Sequence, residues 1–355
     1  MPDNLKQLRE RIDALDLEIL KLVSERASAA LAIGKLKGDG PVYRPEREAQ
    51  VLRRLAQRNP GPLHEKVVTH LFAEVISACR ALEDAFSVAT LGPKGTFSEE
   101  AAVKHFGGQA AVLLCPSIDE VFRSVESGSI GYGVVPVENS TEGAVGRTLD
   151  LLLSTPLKIC GEVLLPVHQN LLSRGNDIAA VKRIFSHAQS LAQCNRWLAQ
   201  NCPRAERIAV ASNAEAARMA QEDAESAAVA GRSAADYYRL PVLAGNIEDE
   251  PNNTTRFVVI SRQDVAPSGN DKTSLVISTR NVPGAIHQLL TPLAQNGVSM
   301  TRLESRPSRT GLWEYVFFLD MEGHQGDENV ARALEGMRGL AAFLKILGSY
   351  PVAVQ

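Results

Sequence analysis

The stretch "EDEPNNTTRFVV", residues 248–259, runs from an acidic loop into two threonines, an arginine and an apolar strand. Thr254, Thr255 and Arg256 stand at the mouth of that strand with no His or Cys beside them. Hydroxyls and a guanidinium donate hydrogen bonds to oxygens that gain negative charge, and they hold carboxylates. A second group lies near the N-terminus. Leu5, Leu8, Ile12, Leu15, Ile19, Leu22, Ala29, Ile33 and Leu36 recur at steps of three and four, and Arg26 takes a position in that apolar seam. A charge buried there is costly unless paired. Taken alone, Arg26 fits a side chain that snorkels to the surface, a structural ion pair or a binding cation. Arg9 and Lys37 lie just beside the seam. Glu48 opens the next apolar stripe (Val51, Leu52, Leu55), and Cys79 and Glu83 are spaced i, i+4 on one helical face.

These residues need elements to hold them. No Gly or Pro interrupts residues 5–33, so the seam predicts one helix roughly 50 Å long. Two shorter helices follow over 45–58 and 63–86, divided by "NPGP". A helix that long cannot bury its stripe alone, so the pattern predicts a bundle completed by a second chain. From Phe86 the texture changes to β-branched runs, glycines and short helices. "FSVATLG", "IGYGVVPVE", "RIFS" and "SAAVA" read as strands, each followed by a loop and helix. Thr96 with Glu99, Ser186 with Gln189 and Ser212 with Glu215 fit helix caps of the S/T-x-x-E/Q kind. This alternation predicts an α/β region with parallel strands whose ends gather helix N-termini at one sheet edge. "LGPKGT" lacks the spacing of a nucleotide-binding phosphate loop. "QDVAPSGNDKT" (263–273) reads as a linker. Beyond it, strand 273–279, helix 283–296, strands 298–306 and 312–320, helix 327–339 and strand 343–349 make a ferredoxin-like order.

Composition limits the classes. The chain has 355 residues, 45% apolar and 22% charged, enough for two or three domains. A net charge of −3 provides no general attraction to nucleic acid or membrane, so local Arg and Lys must hold any anionic substrate. "MPDNLKQLRE" lacks a signal-peptide pattern, and no apolar run reaches the ~20 residues of a membrane span. Five cysteines form no CxxC pair, which predicts reduced thiols in a cytoplasmic protein. Seven scattered His residues predict no metal site.

"LRERIDALDLEILKLVSERASAALAIGKLK" and "RPEREAQVLRRL" resemble the all-helical chorismate mutase family, over about residues 3–86. The resemblance implies an intertwined dimer that rearranges chorismate to prephenate. It implies that Arg9, reaching the partner's site, and Arg26 bind carboxylates, with Arg47 assisting. Lys37 would donate to the ether oxygen, and Glu48 would hold the ring hydroxyl. Cys79 and Glu83 complete the site. Arg44 stands where an Asp is often found, and Glu83 where many members carry Gln. Glu83 donates only when protonated, so the resemblance predicts a mutase that prefers mildly acidic pH.

"GPKGTFSEEAA", "VPVENSTEGAV", "SHAQSLAQC" and "NNTTRF", in this order, resemble prephenate dehydratase over about residues 88–262. That implies two α/β lobes of the periplasmic-binding-protein kind with the site between them. Thr255 would donate to the departing hydroxyl. Arg256 would be structural or bind a carboxylate. Thr96, Asn139, Ser140 and Gln189 would line the cleft, with Glu138 orienting them. His187 reads as structural or as part of a helix cap. "NVPGAIHQLL" and "ESRP" resemble the amino-acid-binding ACT module. They point to Asn281, Gly284, Ala285, Glu304, Ser305 and Arg306 as its phenylalanine site.

The whole chain therefore resembles the bifunctional P-protein family, in which a mutase, a dehydratase and an ACT domain are joined. The expected domains are residues 1–87, residues 88–264 (lobe 1, 88–165 and 250–264; lobe 2, 166–249) and residues 272–355. The expected activity takes chorismate through prephenate to phenylpyruvate without cofactor or metal. L-phenylalanine would be the allosteric inhibitor, and the enzyme a homodimer or dimer of dimers. The alternative is a non-catalytic amino-acid sensor, which would not need both Arg26 with Lys37 and Thr255 with Arg256.

Overall fold

The computed structural model describes residues 2–37, 40–83, 86–279, 282–307 and 315–354; the side chains of residues 2, 3 and 37 fall outside the described set. Among the described residues no helix is long and apolar enough to cross a membrane.

Three helices come first: α1 (Pro2–Lys37), α2 (Pro45–Gln57) and α3 (Glu65–Ala81). Pro45 starts α2, where a missing N–H leaves no bond unmade. α3 stops at Ala81, short of the expected 86. The N–H groups of Leu82 and Glu83 bond the carbonyls of Cys79 and Arg80, three residues back, and tighten the last turn. Glu83 thus sits in a turn, not on the helix. The seam of α1 faces solvent: Leu5, Leu8, Ile12, Leu15, Ile19 and Leu22 are each between 47% and 58% exposed.

The first α/β sheet contains β1 (Ser87–Leu91), β2 (Ala111–Cys115), β3 (Tyr132–Asn139), the short β4 (Gly143–Ala144) and β5 (Lys158–Pro166). Helices α4 (Phe97–Phe106), α5 (Ile118–Glu126) and α6 (Gly146–Ser154) alternate with them. The chain then builds a second sheet from β6 (Asn170–Ser173), β7 (Arg183–Ser186), β8 (Glu206–Ala209), β9 (Ser226–Ala230) and β10 (Val242–Ala244), in the order β10-β6-β9-β7-β8. Around it lie α7 (Ala188–Gln193), α8 (Asn195–Asn201), α9 (Asn213–Ala220) and α10 (Arg232–Tyr238). The next strand, β11 (Thr254–Ser261), returns to the first sheet, whose order is β2-β1-β3-β11-β5 with β4 on β3.

β1 is parallel to β2 and β3, as the alternation predicts, but β11 runs antiparallel to both its neighbours. The chain re-enters at the ends of β3 and β5, so it can only travel back along them. Thr255 thereby lies opposite Asn139 on β3 and Leu165 on β5.

The last module has β12 (Asp271–Ser278), α11 (Ala285–Gln295), β13 (Met300–Pro307), β14 (Tyr315–Glu322), α12 (Glu328–Leu340) and β15 (Phe343–Pro351). Its antiparallel sheet has the order β13-β14-β12-β15, the ferredoxin-like arrangement expected from sequence. The stretch read as a linker is pinned at both sides. Arg53 of α2 donates to the carbonyl and hydroxyl of Ser268 at 2.7 and 2.8 Å, and the Asp271 carboxylate accepts from Ser268 N at 2.8 Å. His324 meets the Val265 carbonyl at 2.9 Å. One apolar core joins this module to the first sheet, with Val276, Val316, Phe318, Leu347 and Tyr350 among Leu149, Ile159, Val258 and Ile260.

Candidate active sites

Asn139 organises the cleft. Its Oδ1 accepts from the backbone N–H groups of Thr141 (3.0 Å) and Glu142 (3.2 Å) and from the Thr141 hydroxyl (2.6 Å). Those donors fix which end of the amide is oxygen. The Nδ2 end must then donate, and it does so to Asn253 Oδ1 and Thr255 Oγ1, both at 2.8 Å. Thr255 is the acceptor in that bond. Its own proton has no acceptor among the described residues, so the hydroxyl keeps its donor capacity for a ligand. Ser140 takes part through the backbone, its hydroxyl accepting from Thr254 N at 3.0 Å.

Lobe 2 reaches this cluster through a residue the sequence reading passed over. Gln193 donates to Thr141 Oγ1 (3.3 Å) and Glu142 Oε1 (3.4 Å) and accepts from Asn253 Nδ2 (3.2 Å). Both Gln193 and Asn253 lie inside motifs quoted above. Gln193 is one helical turn beyond Gln189, and that spacing was a usable signal. The cap of α7 also differs from expectation. His187 Nδ1 accepts from Gln189 N, whereas Ser186 Oγ lies 2.7 Å from the Val229 carbonyl and 2.9 Å from Asn213 Oδ1. His187 is thus the cap. Thr96 caps α4 and donates to the Leu91 carbonyl at 3.0 Å, while Ser212 caps α9.

Arg256 points the other way, into the joint with the last module. It meets Glu162 of β5 at 2.9 Å, Asp320 of β14 and the Tyr350 hydroxyl of β15 at 2.7 Å. Lys272 of β12 lies 2.8 and 3.0 Å from the Glu162 oxygens. Two cations thus face two carboxylates. Burial opposes the charge of Arg256, but Tyr350, Asp320 and Glu162 outweigh it and hold the guanidinium charged. Its donors are met by protein groups, which leaves the structural role and removes the expected carboxylate-binding one. Glu138 is likewise engaged. Arg302 Nε of β13 is 2.9 Å from Glu138 Oε2, an ion pair whose angle falls short of a hydrogen bond.

The expected phenylalanine residues are divided between two faces of β13. Arg306 pairs with Asp150 of α6 at 3.1 Å, so its charge is turned to the first lobe and not to a ligand. Glu304 shares that inward alternation, and Ser305 faces solvent. Gly284 is the residue before α11, at φ +76 with open space where a Cβ would lie, and Ala285, which begins the helix, is buried. Asn281 lies outside the described residues.

In the helical domain, Arg80 of α3 donates to Glu48 Oε1 at 2.6 Å. Arg26 NH1 reaches the Val75 carbonyl at 3.5 Å. A Cβ on Gly34 would lie 3.2 Å from Glu83 Cγ, so the Glu83 stem rests on bare α1 backbone. Cys79 is 4% exposed at the same level. Arg26, Glu48, Cys79 and Glu83 are therefore drawn towards one end of the three helices. The Lys37 side chain lies outside the described residues. Arg9 is seventeen residues before Arg26, about 26 Å away along α1. Arg47 is exposed, and Arg44 pairs with Glu46 at 2.7 Å.

Three family models match the chain: prephenate dehydratase over residues 88–265, chorismate mutase type II over 8–84 and the ACT domain over 273–339. A bifunctional chorismate mutase/prephenate dehydratase from Neisseria gonorrhoeae is 55% identical over 349 residues, which cover 98% of this chain and 96% of that protein. The chain belongs to the bifunctional chorismate mutase/prephenate dehydratase family. The counterpart in Pseudomonas aeruginosa is 51% identical over 360 residues and 99% of both chains. A prephenate dehydratase from Arthrobacter aurescens, solved in complex with L-Phe, aligns with a TM-score of 0.69 at 34% identity, over 75% of this chain and 90% of that one.

For a member of the bifunctional chorismate mutase/prephenate dehydratase family, the position of one further cavity is informative. A space of about 510 Å³ opens between α2, α3, β5 and residues 351–354, lined by Glu48, Lys66, His70, Lys104 and Thr254. Thr255 is not in its wall. This cavity is a junction between the mutase helices and the first lobe, separate from the cleft that Asn139 organises.

Proposed function

We propose that the chain rearranges chorismate to prephenate in its helical domain and converts prephenate to phenylpyruvate in the cleft between its lobes. The observation that carries the dehydratase reading is the fixed Asn139 amide, which makes Thr255 an acceptor on one side and leaves its proton free for a departing oxygen. In the reaction the bond to the ring carboxylate breaks and CO2 leaves. Its electron pair enters the ring, the ring C–O bond breaks, and hydroxide departs and gains a proton to become water. Aromatisation drives the step. Thr255 is too weak an acid to protonate hydroxide unaided, so it acts by hydrogen bonding to the leaving oxygen. Ser140 and Gln189, with Gln193 beside them, are the polar groups available to the substrate.

The mutase step breaks an ether C–O bond and forms a C–C bond within one molecule. It needs a compact conformer and cations where the oxygen gains charge. Arg26 and Lys37 would supply the cations and Glu48 the hydroxyl acceptor. Arg9 and the exposed α1 seam support a second copy of the chain as the other half of the site. The proposed domains are residues 1–87, 88–264 and 272–355, in a cytoplasmic enzyme inhibited by L-phenylalanine through its ACT domain. Purified protein given chorismate should produce the ultraviolet signal of phenylpyruvate in alkali. Absence of that signal, with prephenate also left unconsumed, would leave the sensor reading in its place. For the mutase, Glu83→Gln should extend activity to neutral and alkaline pH; overlaying profiles would remove Glu83 as a donor.

A further inference from the structure

One buried cation in the helical domain has no part in the scheme above. Arg80 is 5% exposed and sits where α3 meets the first lobe. Its NH1 donates to Glu48 Oε1 at 2.6 Å, and its NH2 donates to the carbonyl of Phe106, the last residue of α4. The guanidinium carbon lies 4.8 Å from the Phe86 ring centre, 5.3 Å from that of Tyr43 and 5.6 Å from that of Phe106. Each neighbour suits a cation. The carboxylate is a charge-assisted acceptor, a helix C-terminus carries partial negative charge, and ring faces attract guanidinium. A planar fork held on two sides by acceptors and flanked by rings cannot swing to follow a moving carboxylate.

We propose that Arg80 is a positioning residue for the mutase reaction, clamping Glu48 so that its second oxygen faces the substrate hydroxyl, with the first dehydratase lobe as the anvil. The inference rests on the mutase reading of Glu48. Among the described residues no donor reaches Glu48 Oε2, which is the atom left for a ligand. The clamp spans two domains: α2 carries Glu48, α3 carries Arg80, and α4 of the dehydratase carries the second acceptor. Tyr43, in the loop before α2, is part of the same contact and lies within the apolar core of the first sheet.

The charges around Glu48 make the idea measurable. Burial pushes the Glu48 carboxyl up from its ordinary range; Arg80 opposes this most strongly, then Arg26 of α1, while Glu83 adds to the rise. Across the cavity stand Lys66 and His70 of α3 and Lys104 and His105 of α4. His105 is pushed down to about 3 by burial and by Arg80, so it is neutral there. Without Arg80 the Glu48 proton should be held to higher pH.

The test uses the full chain and follows mutase kcat/KM against pH. Arg80→Leu should lower it roughly tenfold to a hundredfold at neutral pH. The acid limb should move to higher pH, while added prephenate is still dehydrated within a few-fold of the parent rate. Arg80→Lys keeps the charge but cannot bridge both acceptors. It should leave the acid limb in place and lower kcat/KM, and it stands as the second variant if the leucine form does not fold. A mutase profile of either folded variant that overlays the parent overturns the clamp. Glu48→Gln separates the two levels: if it leaves mutase activity intact, the reading of Glu48 itself is wrong. If it abolishes activity while Arg80→Leu and Arg80→Lys do not matter, only the clamp is wrong.

Discussion

The dehydratase lobes are flanked by two modules, and the two joints are built differently. The mutase region meets the first lobe through one inserted aromatic, Tyr43, which enters that lobe's core, and through Arg80 among Tyr43, Phe86 and Phe106. Most of α1 stays in solvent. The ACT sheet instead shares a continuous apolar core with the first sheet and closes it with the buried charges of Arg256, Glu162, Lys272 and Asp320. A tethered sensor needs only a linker. A sensor whose strands share a core and ion pairs with the strand that carries Thr255 bears mechanically on the cleft. For L-phenylalanine to inhibit, it must bind one arrangement of that joint better than the other.

The ACT joint is most vulnerable at Arg256. Arg256→Met should leave Glu162 and Asp320 buried with too little positive charge and cost about 3–5 kcal/mol of stability, read as a lowered urea midpoint. A midpoint unchanged from the parent would mean the joint is loosely held. Thr255→Ala comes next. It should lower dehydratase kcat roughly a hundredfold to a thousandfold and spare the mutase, while Arg26→Ala does the reverse. Loss of both activities in either variant would deny that the two sites are independent. A milder effect belongs to the exposed seam. Ile12→Ala removes a side chain that is 56% exposed, so dehydratase stability should hold. Self-association should weaken by about 1–2 kcal/mol, seen by sedimentation; an unchanged dissociation constant would place the interface elsewhere.

The smallest effect is a pH slope at the mutase joint. His105 meets the Tyr43 hydroxyl at 2.5 Å, and burial, with Arg80, pushes it down to about 3. The unfolded chain binds this proton near pH 6.5 and the folded chain does not. Its stabilising effect is therefore full above about pH 6.5 and is lost as pH falls towards 3, by at most ~1.4 kcal/mol per unit. Unfolding midpoints at pH 7 and pH 5 should show a slope in the parent that His105→Phe reduces. Parallel lines would show that His105 binds its proton equally well in the folded and the unfolded chain.

Local chemistry was readable from the residues, and long-range pairing was not. Thr96 and Ser212 cap their helices because a cap is settled within three residues. The order of the ACT elements was equally visible, since strand and helix periods are local. Ser186 failed as a cap because a buried hydroxyl in β7 is claimed by β9, a neighbour forty-three residues away. Arg306 reads from sequence as a ligand contact, and a carboxylate-binding role stays open for Arg256, because their partners lie 156 and 94 residues away in sequence. Arg80 carries no mark in the sequence, standing in a helix of mixed polarity. What makes it unusual is the carbonyl and ring of Phe106, from another domain, beside the rings of Tyr43 and Phe86. The segment 263–273 looked like a linker because its polarity resembles that of a free loop, although its polar groups are tied to Arg53 and Asp271.

The place of β11 also sets an order of events at the ribosome. It fills the gap between β3 and β5, yet 87 residues separate the end of β5 at Pro166 from its start at Thr254. At translation rates of about 5–20 residues per second that is a delay of roughly 4–17 s. Meanwhile all five strands of the second lobe emerge and pair, while β3 and β5 wait with unsatisfied inner edges. Such edges invite pairing with another nascent chain. A chaperone that shields extended segments would act in this interval, and a message cut short before codon 254 yields a lobe without the strand that joins β3 to β5.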